Sequence, residues 1–260
     1  MTNTTKRKQK RPITIKNIRE FSQVKRLDNG EIKRQGRKLM LIRRISAYPT
    51  KLFLLLGLSA NFVSFLGIIL YLSGILSLFI LPAYPLLAVL LMFLGFLMDF
   101  CDGEIARFTN TLTHIGIFFE GFSKHLVCGL TGAFLGIYAY IFISQNPLFL
   151  LLGFTISISR MFILLYTLVS YICFPRASKL DEPEKLTTKK TVVNELIRYY
   201  NSIFLTFMAL HTLALAFIFN HLDYYLIFYG ATLPIIVFLR ILTTLRMFLL
   251  LDKKKEKIES

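Results

Sequence analysis

"NFVSFLGIILYLSGILSLFILPAYPLLAVLLMFLGFLM", Asn61 to Met98, contains no charged residue. About 20 apolar residues are enough to cross a bilayer as a helix. This run is therefore long enough for two passes, joined by a short connection near Leu81–Pro85. A second stretch, Leu126 to Ser159, is equally free of charge. The whole chain of 260 residues is 55% hydrophobic, against about 45–50% in soluble domains. A β-barrel would need short alternating segments, and the sequence has none. The reading is an all-α integral membrane protein with one membrane domain.

Working outward, six transmembrane helices are expected: Ala60–Phe79, Tyr84–Ile105, Thr113–Ser144, Leu148–Phe174, Ile203–Phe219 and Leu226–Leu251. A juxtamembrane helix near Leu39–Leu55 precedes them. Further upstream, Ile15, Ile18 and Phe21, with Ile13, Val24 and Leu27 nearby, recur at helical spacing beside Lys and Arg. That pattern suits either a short amphipathic helix on the membrane surface or a helix packed on its own domain. The division is then a basic N-terminal extension (1–38), a six-helix membrane domain (39–251) and a basic tail (252–260). Pro175–Asn201 is a polar linker. No secretory signal peptide pattern is recognisable.

The net charge is +16. Its placement argues against nucleic acid. Of the 31 Lys and Arg residues, 16 precede Leu52, and others occupy Arg176–Arg198 and Lys253–Lys257. The connections near Leu81–Pro85, Ser144–Pro147 and Asn220–Tyr225 carry neither. This is a positive-inside pattern of a multi-pass cell-membrane protein, with the basic side cytoplasmic and facing anionic lipid. An even number of spans puts both termini there. Cys101, Cys128 and Cys173 lie in or beside apolar runs and suggest neither a disulfide nor zinc.

Between Ser46 and Pro175 the acidic residues are Asp99, Asp102, Glu104 and Glu120, all within "DFCDGEIARFTNTLTHIGIFFEGFSKH" (Asp99–His125). On a helix, Asp99, Asp102, Gly103 and Ala106 share a face. Two carboxylates one turn apart make a hard oxygen site, and the two small residues leave room for a bulky or flat group. Arg107 offers a planar donor fork to phosphate. Gly116, Glu120 and Lys124 share a face on the next helix. A tight turn at Thr109–Thr113 would bring Glu120 to Asp99 and Asp102. Crowded carboxylates need a neutralising partner. Mg²⁺ or Mn²⁺, shared with substrate phosphates, is suited to that role. The competing reading has these acids capping helix ends beside Arg107 and Lys124.

The same stretch resembles the CDP-alcohol phosphatidyltransferase signature: Asp99-x-x-Asp102-Gly103-x-x-Ala106-Arg107, then eight residues to Gly116 and three more to Glu120. "SANFVS" (Ser59–Ser64) resembles that family's Pro-Asn-x-Val-Thr element. The resemblance covers roughly Thr50 to Leu250. It implies an enzyme of phospholipid synthesis in which an acceptor hydroxyl attacks a phosphorus of a CDP-linked lipid or alcohol and CMP leaves. It implies divalent ions held by Asp99, Asp102 and Glu120. It implies a CDP site lined by Asn61, Val63, Ser64, Gly103, Ala106, Arg107, Thr113 and Gly116. It also implies a homodimer.

Two positions depart from the family pattern. The third acid is Glu120 rather than Asp, and the fourth is replaced by Lys124. A protonated Lys neither binds Mg²⁺ nor accepts a proton. Three readings follow. Lys124 stands in for an ion as a fixed charge while His125 acts as base. Or a desolvated Lys124 is itself the base, although nearby carboxylates oppose that. Or the chain is a non-catalytic CDP-lipid-binding or scaffold protein, since a fold does not guarantee a reaction. An ion-coupled transporter would need polar residues through both halves of the bundle, and the acids here keep to one side.

Arg160, near the middle of the fourth span, costs from about 3 kcal/mol upward if unpaired at that depth. With Lys124 it would hold an anionic acceptor such as a phosphorylated alcohol; the alternative is a structural pair. Arg240 reads as structural, His211 as a packing residue, and His114 as a cap or phosphate contact. His221 lies on the far side.

Overall fold

The computed structural model describes residues 12–26, 32–34, 40–111, 113–122, 128–178 and 207–259. The described residues are overwhelmingly helical. In chain order the helices are α1 (Ile15–Ser22), α2 (Met40–Leu55), α3 (Ala60–Ile80), α4 (Pro85–Thr109), α5 (His114–Phe122), α6 (Cys128–Phe142), α7 (Pro147–Ser178), α8 (Phe207–Ile218) and α9 (Leu222–Glu259). Strands β1 (Val24–Arg26) and β2 (Ile32–Arg34) pair antiparallel, with Lys25 opposite Lys33. Among the described residues three helices are long and apolar enough to cross a membrane: Ala60–Ile80, Pro85–Thr109 and Leu222–Thr243. Gly129–Phe142, Pro147–Ile163 and Ala209–Ile218 are shorter apolar stretches. The protein is an integral membrane protein built of helices.

The boundaries differ from the sequence expectation in two instructive places. The N-terminal helix ends at Ser22, short of Val24 and Leu27 in its apolar pattern, and the chain turns at Gln23 into β1. The last helix begins at Leu222 and continues through the basic tail to Glu259. The expected third span, Thr113–Ser144, corresponds to α5 and α6. Residues 123–127 between them lie outside the described residues, as does the greater part of the 175–201 linker.

The chain forms two compact units, residues 1–71 with 93–120 and residues 72–92 with 121–260. In the first, α1 packs on α2 and buries Ile18 completely. Thr14 caps α1 by accepting from the Asn17 amide at 3.2 Å. The helix thus packs on its own domain, one of the two options its sequence left open. α2 ends in a Schellman motif. Gly57 takes φ +71°, its amide donates to Leu54 O, and the Leu58 amide donates to Phe53 O. Ser59 then caps α3 through the Phe62 amide. Gly67 and Gly95 let the backbones of α3 and α4 nearly touch: a β-carbon on Gly95 would stand 2.6 Å from Gly67 O. Below that contact, Val63, Met98, Cys101 and Ile105 form a buried cluster covered by Phe53, Leu54 and Leu58.

In the second unit, α6 and α7 approach through Gly132, Gly136 and Gly153. A β-carbon on Gly153 would lie 2.7 Å from Gly132 O and from Gly136 Cα. Ser157 accepts from the Ala133 amide at 2.7 Å across the same junction. α9 packs on α7, α8 and α6, with Leu222, Leu226, Tyr229 and Leu233 fully buried.

Candidate functional site

The candidate site lies within the first unit, where α3, α4 and the start of α5 meet. α4 carries it because its last turns present different chemistry around the helix. Asp99 and Asp102 stand one turn apart, both half-buried. Ser64, from α3, donates its hydroxyl to Asp102 Oδ2 in a short hydrogen bond and also to Ala60 O at 3.2 Å. This fixes one carboxylate oxygen of Asp102. It also joins the "SANFVS" element to the acidic motif, two stretches 38 residues apart.

Helix α4 stops at Asn110, whose φ of 55° is the left-handed conformation Asn tolerates. The Thr111 amide closes back on Ala106 O at 3.0 Å. After this turn Thr113 caps α5, accepting from the Gly116 amide at 3.0 Å while donating to Asn61 Oδ1 at 2.9 Å. A β-carbon on Gly116 would meet both Asn61 Oδ1 and Thr113 Oγ1 at 3.2 Å. Asn61, Thr113 and Gly116 therefore form one small polar junction. The tight turn expected from the sequence is present, and it seats the start of α5 against α3.

The space beside Gly103 is taken by the protein itself. A β-carbon at position 103 would stand 3.1 and 3.2 Å from the two terminal nitrogens of Arg107. That guanidinium lies beside the glycine, and its Nε donates to Ser22 O at 2.5 Å. Arg107, expected beside phosphate, thus also ties the carboxyl end of α1 to α4. Val63 is fully buried among Met98, Cys101 and Ile105, and Ala106 is 8% exposed, so both side chains serve packing at the edge of the site.

The acid that sequence reasoning left without a role is Glu104. It is fully buried. Oε1 accepts from Gln23 Nε2 at 2.9 Å and from Ser46 Oγ at 2.7 Å; Oε2 accepts from Thr50 Oγ1 at 2.8 Å. Gln23 Nε2 also reaches Arg43 O at 2.6 Å. Glu104 is a clamp between α4, α2 and the turn after α1. The sequence places position 104 some 140° around the helix from Asp99, but its partners Ser46 and Thr50, more than 50 positions away, carry no local signal.

Among the described residues no three of His, Cys, Asp and Glu are grouped closely enough to hold a metal. Glu120 sits on α5, with its side chain outside the described residues, and Lys124 and His125 also fall outside them. Arg160 is on α7 in the second unit; its Nε is buried without a hydrogen-bond partner among the described residues.

A family model, CDP-alcohol phosphatidyltransferase, matches residues 58–219, well over half of the chain. No curated protein and no solved structure matches.

Proposed function

The chain belongs to the CDP-alcohol phosphatidyltransferase family, and we propose that it moves a substituted phosphate from a CDP-linked lipid or alcohol to an acceptor hydroxyl, with release of CMP. Phosphotransfer from a CDP-alcohol in phospholipid synthesis is the reaction of the family. The observation that carries the finer reading is the Ser64–Asp102 bond, with Asp99 one turn earlier on the same half-buried face.

The residues fit a divalent ion. Asp99 and Asp102 are hard oxygen donors at one helix turn, and one oxygen of Asp102 is oriented by Ser64. Mg²⁺ usually binds through one or two carboxylates together with substrate phosphates. Asp99 and Asp102, joined by Glu120, would hold Mg²⁺ or Mn²⁺. When bound, the ion supplies positive charge to the diphosphate and to the leaving CMP.

The chain's own groups do the rest. Asn61, Thr113 and Gly116 form the polar wall against which the nucleotide lies. Arg107, whose terminal nitrogens lie beside Gly103, offers its guanidinium to phosphate. Lys124 occupies the position of the family's fourth acid and contributes a fixed positive charge. His125 accepts the proton as the acceptor oxygen bonds to phosphorus and the bond from phosphorus to the CMP oxygen breaks. Arg160 binds the negative charge of a phosphorylated acceptor. Six spans, both termini in the cytoplasm, a membrane domain over 39–251 and a homodimer complete the proposal. The charge pattern supports the topology.

Lys124 favours a second reading, a protein that binds CDP-lipid without turning it over. Purified protein in detergent with radiolabelled CDP-diacylglycerol and Mg²⁺ or Mn²⁺ separates the two. CMP release is followed against a panel of alcohols and phosphorylated alcohols, for wild type, Asp102→Asn and Lys124→Asp. Acceptor-dependent release by wild type and its loss in Asp102→Asn are expected. Release that appears only in Lys124→Asp would make the second reading correct.

A further inference from the structure

Arg43, on α2, is poorly served by the protein. Its Nε and Nη1 are buried with no hydrogen-bond partner among the described residues. Its guanidinium lies 5.8 Å from the centre of the Phe100 ring. The one buried carboxylate close by, Glu104, is already occupied by Gln23, Ser46 and Thr50. Burial holds the Arg43 pKa below its ordinary value, repulsion from Arg107 lowers it further, and Glu104 only partly opposes them. The Arg107 guanidinium thus stands close enough to Arg43 to repel it. Arg19 adds to the pattern: its Nε is likewise buried without a partner among the described residues, and its Nη2 reaches Arg44 O at 3.4 Å.

The setting says what kind of anion fits. On α2, Ile45, Tyr48, Leu52 and Leu55 recur at helical spacing and are 45%, 60%, 54% and 62% exposed. Such a stripe belongs in the acyl region of a membrane, with arginines at the start of the helix at headgroup level. Arg43 is partly exposed, so a small rotation of its long side chain presents its unfilled N–H groups at that level.

We propose that Arg43 forms a seat for a phosphate group at the membrane interface, separate from the CDP site and occupied by the phosphodiester of an anionic phospholipid or by a free phosphoester. A planar guanidinium matches a phosphate by paired hydrogen bonds, which a diffuse surface attraction does not reproduce. Filling the seat satisfies the buried donors and offsets the repulsion between the two arginines. The seat rests on no step of the transfer reaction.

The full chain in detergent micelles is titrated with short-chain phosphatidylglycerol, with phosphatidylcholine, whose choline neutralises its phosphate, as the zwitterionic control. Binding and the accompanying rise in melting temperature are both read. Arg43→Gln is compared with Arg44→Gln, which removes the same charge from an exposed side chain one residue away. Arg43→Gln should weaken binding about tenfold and abolish the thermal shift, whereas Arg44→Gln should change binding by less than about twofold. Asp102→Asn should bind the lipid as wild type does, which keeps this result apart from that of the transfer assay. Displacement by inorganic phosphate or CMP at comparable concentration assigns the seat to phosphoesters in general; resistance to both assigns it to the lipid. Equal losses in Arg43→Gln and Arg44→Gln, or none in either, would overturn the proposal. If Arg43→Gln does not fold, Arg43→Lys keeps the charge without the fork. Its thermal shift should fall by at least half, and an unchanged shift would refute the seat.

Discussion

Two carboxylates on α4, Asp102 and Glu104, lie two residues apart and have opposite surroundings. Asp102 is half-buried and takes a hydroxyl from Ser64. Glu104 is fully buried and has three protein donors, from Gln23, Ser46 and Thr50. Both are acids in an apolar chain, where an unsatisfied charge is very costly. One acid lies on the partly exposed face where we propose that the donor binds, while the other is fully buried and holds the N-terminal segment. The environment around an acid, more than its presence, separates function from architecture.

That contrast can be broken experimentally. Asp102→Asn should reduce transfer at least a thousandfold while melting within a few degrees of wild type, because the amide keeps the shape and loses the charge. CMP release and a thermal melt on the same sample check both halves. Glu104→Ala should do the reverse. It removes the shared acceptor of Gln23, Ser46 and Thr50 and leaves a buried void, which should cost about 3 kcal/mol of stability, read as a lower melting temperature, with activity per folded molecule within a few-fold of wild type. A loss of activity in Glu104→Ala as deep as in Asp102→Asn would erase the distinction between the faces.

Smaller effects sharpen it. Gly153→Val puts a side chain where a β-carbon alone would lie 2.7 Å from Gly136 Cα. Overpacking should cost about 2 kcal/mol, visible in thermal or denaturant unfolding. Ser64→Ala removes one hydrogen bond to a charged oxygen, worth about 1.5 kcal/mol, so steady-state kinetics should show transfer about tenfold slower. Thr113→Ala deletes the cap of α5 and its bond to Asn61. About 1 kcal/mol of stability should be lost, with a modest rise in KM for the CDP donor.

Much of this was legible in the sequence. The absence of charge from Asn61 to Met98 announced α3 and α4, and the signature at Asp99, Asp102 and Gly103 announced the family. A tight turn at Thr109–Thr113 was expected, and Asn110 ends α4 there in the left-handed conformation. What sequence periodicity could not supply was partnership across long separations. Nothing local shows that Glu104 meets Ser46 and Thr50, or that Arg107 reaches Ser22. The length of α1 was misjudged for the same reason: its end is set by contacts of Ser22 and Gln23 with residues more than 80 positions away. Gly103 was read as open space, but the Arg107 side chain covers it, a matter of rotamer rather than of pattern.

The central claim is that the half-buried face of α4 handles the CDP-linked donor with a divalent ion. Electron paramagnetic resonance of Mn²⁺ tests it most directly, with purified wild type, Asp102→Asn and Glu104→Gln in the presence of CDP-diacylglycerol. The account predicts that wild type and Glu104→Gln deplete the free Mn²⁺ signal to similar extents, and that Asp102→Asn leaves it undiminished. Depletion by Asp102→Asn equal to that of wild type, or its loss in a folded Glu104→Gln, would contradict the account.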